Sequence, residues 1–66
     1  MMKPKRSELV ICKLGKFMVD FYDGYTEVRK YDRIAGYYTL HTGLSRHQES
    51  TIKGMARKQT KERKFQ

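Results

Sequence analysis

The chain has one cysteine, one proline, no tryptophan and seven acids against fifteen bases in 66 residues. Cys12 alone cannot close an intramolecular disulfide, and no Cys/His spacing suited to zinc occurs, so neither staple of small secreted folds is expected. The longest apolar run, Leu9 to Cys12, ends at Lys13 and falls far short of the ~18 residues of a membrane span. Met1 to Arg6 is basic like the start of a signal peptide, but the apolar segment after it is too short and no small-residue cleavage site succeeds it. A reducing cytoplasm is the expected setting, with no membrane association. Pro4, the sole proline, lies where it interrupts no ladder. With 38% apolar residues, a chain of this length makes one small core and no deep catalytic cleft.

The charge is +8 and unevenly placed. Residues 1–6 contribute +3 through Lys3, Lys5 and Arg6, residues 7–44 are neutral, and residues 45–66 contribute +5. Every aromatic residue except Phe65 lies in the neutral middle. The division predicts a basic flexible arm over 1–6 and a single α+β domain over 7–66: a β-rich body to residue 44 and a basic helix from 45 onward.

Leu9–Leu14 reads as a first strand turned at Gly15. Lys16–Tyr22 alternates, with Phe17, Val19 and Phe21 on one face. Asp23-Gly24 is a strong type I′ hairpin signal, so Tyr25–Tyr31 returns antiparallel. A two-residue turn pairs Tyr22 with Tyr25, Phe21 with Thr26, Val19 with Val28 and Phe17 with Lys30. The predicted core face is then Phe17, Val19, Phe21, Thr26 and Val28, while Asp20 opposes Glu27 and needs a cation such as Lys16 or Arg29. A three-residue loop with a glycine bulge is the alternative. Tyr37–Thr42 reads as a further strand, giving an antiparallel sheet of three to four strands. Ser45 and Gln48 form a capping box opening a helix over about 46–63. Ile52 and Met55 can dock that helix, but past Ala56 almost nothing is apolar, so its last two turns are expected to project or fray.

Phe17–Phe21 resembles the end of the aromatic motif of RNA-recognition motifs, and Val19–Val28 resembles the central hairpin of Tudor or SH3-like barrels. The first resemblance spans five residues and the second one hairpin, in a chain too short for either complete fold, and no family is assigned from them.

The basic helix presents Lys53, Arg57, Lys61 and Lys64 about a turn apart, a spacing suited to phosphates, with Lys58 and Arg63 beside them. With Lys3, Lys5 and Arg6 they are the candidate contacts to nucleic acid, DNA or RNA, or to an acidic protein surface. The bland alternative is a solvated tail. Tyr22, Tyr25 and Tyr37 are candidate stacking residues or interface anchors, on a sheet with more tyrosines than a small core can bury. His41, His47 and Cys12 make no recognisable catalytic set, Cys12 reading as a core residue, and no metal or cofactor is expected. The leading expectation is a non-catalytic nucleic-acid-binding protein. The alternative is a small regulator or inhibitor, of the kind phages encode, that docks on a larger enzyme or transcription complex through its tyrosine-rich face and basic helix. Either is compatible with a homo-oligomer formed through a sheet edge or the Ile52/Met55 face.

Overall fold

A computed structural model describes residues 3–64. Four antiparallel strands in chain order form one sheet, β1 (Arg6–Cys12), β2 (Gly15–Tyr22), β3 (Tyr25–Asp32) and β4 (Tyr37–Thr39), and α1 (Arg46–Lys64) comes after them. This is the α+β arrangement expected.

The central hairpin closes on Asp23-Gly24 in the expected register, with Tyr22 opposite Tyr25, Phe21 opposite Thr26, Val19 opposite Val28 and Phe17 opposite Lys30. Gly24 has φ +80°, the conformation an L side chain resists, so the turn depends on glycine there. The first strand begins three residues earlier than its apolar run suggests. Cys12 pairs with Gly15, so Lys13-Leu14 forms the turn and Gly15 opens β2. The fourth strand stops at Thr39, because Thr39 Oγ1 accepts the His41 backbone N–H at 3.2 Å and bends the chain away from the ladder.

Alternation gives the sheet two unlike faces. Glu8, Val10, Phe17, Val19, Phe21 and Val28 lie on one, and Ile52 and Ala56 of α1 close over them as the core. Thr26 shares that face but is half-buried, and Met55, expected to help dock the helix, is 39% exposed. The other face carries Leu9, Ile11, Lys16, Met18, Tyr22, Tyr25, Arg29, Tyr31 and Tyr38 with no element over it.

α1 starts at the expected capping box: Gln48 N–H donates to Ser45 Oγ at 3.2 Å, and Ser45 N–H donates to Gln48 Oε1 at 3.0 Å. Its second half does not stand free. Glu8, 1% exposed, accepts from Thr60 Oγ1 at 3.0 Å, from Gln59 Nε2 at 3.4 Å and from the Arg63 guanidinium, while Gln59 Nε2 also donates to the Leu9 carbonyl at 2.9 Å. The expectation of projecting final turns fails because a polar tether to β1 replaces the missing apolar contacts as far as Arg63.

The arm over 1–6 is likewise shorter than expected. Lys5 N–H donates to the Phe21 carbonyl at 2.7 Å and Arg6 is the first residue of β1. Met1, Met2, Phe65 and Gln66 lie outside the described residues.

Candidate functional site

The side chains of Glu8 and Asp20 are the acids the fold withdraws from the surface. Asp20 is 2% exposed, accepts from Ser7 Oγ at 2.6 Å and pairs with Arg29 Nε at 2.8 Å, which compensates the unfavourable facing of Asp20 and Glu27. Lys16, the other cation expected to balance them, instead lies 5.1 Å from the centroid of the Tyr31 ring. Taking these two acids inside leaves more cations than acids on the surface of a segment whose formal charge is zero.

The cations proposed from sequence separate into distinct groups. Lys5 pairs with Asp23 at 2.6 Å, Lys53 pairs with Glu49 one turn before it at 3.1 Å, and Arg63 is held by Glu8. Lys3 is exposed just ahead of β1. Lys64 ends α1, and its side chain lies outside the described residues.

Arg6, Arg57, Lys58 and Lys61 make no salt bridge among the described residues. Together with Gly54 and Thr60 they line a concavity of about 490 Å³ between the start of β1 and the flank of α1, and no acid lines it. Helical spacing explains the meeting: 54, 57, 58 and 61 fall on one side of α1, adjacent to the stripe of Ile52, Ala56 and Gln59 that faces the sheet. Arg6 is oriented by its guanidinium, which lies 4.1 Å from the centroid of the Phe21 ring. Gly54 costs ~1 kcal/mol of helix propensity relative to Ala. A Cβ there would meet nothing within 4 Å, so no neighbouring atom requires glycine at this position.

The three tyrosines are not brought together. Tyr22 and Tyr25 stack on each other at the hairpin, with centroids 4.7 Å apart and planes 8° from parallel. Tyr37 sits opposite Asp32 at the far edge, on the opposite face from its neighbour Tyr38, and is 62% exposed. On the open face Tyr31 and Tyr38 meet edge to face at 5.2 Å, with Arg29 5.9 Å from the Tyr38 centroid. Partial burial first, then the charges of Asp20 and Glu27 and the neighbouring Tyr25, hold the Tyr22 phenol above its ordinary pKa of 10.0, with Arg29 opposing.

Among the described residues, no group of three or more His, Cys, Asp or Glu side chains is placed to hold a metal ion, and no helix is long and apolar enough to cross a membrane. Comparison with protein-family models, with curated proteins and with solved structures finds no match.

Proposed function

We propose that this protein binds nucleic acid in the cytoplasm without catalysing a reaction, and that the groove of Arg6, Arg57, Lys58 and Lys61 is its principal phosphate contact. The observation carrying this reading is the convergence of four cations from a strand and a helix on one acid-free concavity with no internal partner. An internal acid would have to be displaced before a phosphate could bind; here only counterions leave. Gly54 supports the same reading. A glycine that no neighbouring atom demands, in the wall of a basic groove, lets a sugar-phosphate backbone approach the helix main chain.

Arg6 supplies a planar fork already laid on Phe21, suited to two phosphate oxygens at once, whereas Lys58 and Lys61 act as mobile point charges. Lys5 sits in an exposed ion pair and Lys53 in a half-exposed one, both of which a polyanion can exchange at little cost. Arg63, 63% exposed, is already held by Glu8, so it is a weaker candidate for phosphate contact than the four groove cations. Fluorescence anisotropy with labelled single- and double-stranded DNA and RNA tests the reading. Four neutralised phosphates give a log–log salt slope of about −2.8 to −3.6. The paired substitution R57A/K61A reduces its magnitude by about 1.4 to 1.8. Absence of salt-sensitive binding at micromolar protein refutes the reading.

A second reading is favoured by the uncovered sheet face. Ile11 is 70% exposed and Leu9 41%, an apolar surface suited to a small regulator docking on a larger protein. Capture after nuclease treatment separates the two: a retained partner supports docking, and loss of every partner supports nucleic acid.

A further inference from the structure

A second group of cations gathers at the opposite end of the sheet from Arg6. Lys16, Lys30 and Arg33, with Leu14, Gly15 and Tyr31, line a cleft of about 520 Å³. All three come from the segment whose formal charge is zero, and none makes a salt bridge among the described residues. The five acids of that segment are engaged or stand elsewhere. Glu8 and Asp20 are buried with Arg63 and Arg29, and Asp23 pairs with Lys5 at the other end of the hairpin. Glu27 faces Asp20, away from the cleft. Asp32, adjacent in sequence, accepts the backbone N–H groups of Ile34 and Ala35 at 2.9 and 3.1 Å and does not line the cleft.

The cleft is organised as well as charged. Lys16 lies over the Tyr31 ring, and the stem of Lys30 crosses Gly15 so closely that a Cβ there would come within 3.2 Å of Lys30 Cε. Lys30 points to the Phe17 face of the sheet and Tyr31 to the open face, so the cleft wraps the sheet end, with the Lys16 ammonium held beside the Tyr31 ring. A cation beside an aromatic wall matches a phosphate joined to a sugar and base better than it matches a carboxylate side chain.

We propose that this cleft is a second phosphate-binding site, which takes a phosphodiester of the same nucleic acid that fills the Arg6/Arg57/Lys58/Lys61 groove, with Tyr31 beside the sugar or base. The inference rests on the nucleic-acid reading above. Arg6 and Cys12 stand at the two ends of β1, so the six steps between them place the sites about 20 Å apart at ~3.3 Å per residue. At ~3.4 Å per base pair along one strand, a nucleic acid needs about six base pairs to reach both.

The experiment compares the wild-type chain with the double substitution K30Q/R33Q, each shown folded by circular dichroism, on labelled 20-mer and 5-mer duplexes across a salt series. On the 20-mer the variant's log–log slope falls in magnitude by about 1.8, the change expected when two phosphates of a duplex are no longer neutralised. On the 5-mer, which fills one site at a time, affinity changes by no more than about twofold, the statistical loss of one of two alternative sites. Wild-type binding with the same 20-mer slope in the variant overturns the cleft alone and leaves the groove standing. A wild-type chain that binds neither duplex but binds poly-glutamate overturns both, in favour of an acidic protein partner.

Discussion

Removing Arg63 should cost more stability than removing the acid it serves. Glu8 is 1% exposed and its donors are Thr60, Gln59 and Arg63. Arg63→Ala leaves that carboxylate buried with two neutral donors. Stranding one member of a fully buried ion pair costs ~3–5 kcal/mol. Here the Arg63 side chain is 63% exposed, so water already screens the pair, and about 2 kcal/mol is expected. Glu8→Met removes the buried charge and keeps a side chain of similar length on the core face. Thr60 retains its bond to the Ala56 carbonyl, Gln59 retains the Leu9 carbonyl, and Arg63 returns to water, so the cost is at most about 1 kcal/mol. A domain of this size holds only ~3–5 kcal/mol in all. Arg63→Ala should therefore move the urea midpoint, followed by ellipticity at 222 nm, by about 2 M at an m value near 1 kcal/mol/M. The double variant should resemble Glu8→Met. If Arg63→Ala shifts the midpoint no further than Glu8→Met does, Glu8 does not anchor the helix through charge.

Gly54→Ala raises thermal stability by about 1 kcal/mol through helix propensity and weakens oligonucleotide binding, whereas an unchanged affinity dissociates Gly54 from the groove. Gly24→Ala places a Cβ at φ +80° and costs about 1–2 kcal/mol in urea unfolding, although the space around it is open, so the loss is one of backbone strain. The Tyr22 phenol ionises above its ordinary 10.0, so the folded state holds its proton more tightly than the unfolded chain does. Its contribution to stability is complete below pH 10 and is lost as pH rises through the elevated value, and absorbance at 295 nm should lose a phenol that titrates above pH 10 in Tyr22→Phe.

The hairpin was legible because local rules agree on it. Asp-Gly demands a tight turn, a tight turn imposes the register, and alternation then sorts Phe17, Val19 and Phe21 from Asp20 and Tyr22. The helix start was legible for the same reason, since the capping box lies within four consecutive residues. Glu8 was hidden because its role depends on residues more than fifty positions away, with only a faint trace in the sequence: counted back from Val10 on the apolar side of β1, an acid falls where it must find a cation. The same distant pairing concealed how the last turns of α1 are held. Arg57, Lys58 and Lys61 could be named from spacing alone, but their separation from Arg63, and their meeting with Arg6, required the packing angle of helix on strand. Lys30 and Arg33 were concealed because formal charge sums count buried acids as though they faced solvent.

The bond from Gln59 to the Leu9 carbonyl bears on what the sheet can recruit. β1 is an outer strand, and the two-residue turn pairing Cys12 with Gly15 directs the main-chain groups of Ser7, Leu9 and Ile11 away from β2. Such a border invites strands from unfolded or neighbouring chains, the first step toward fibrils. Gln59 occupies the middle carbonyl of that border at 2.9 Å. An added strand must therefore displace a side chain of α1 before it can pair at Leu9, so one amide that aligns the helix also guards this small protein against aggregation.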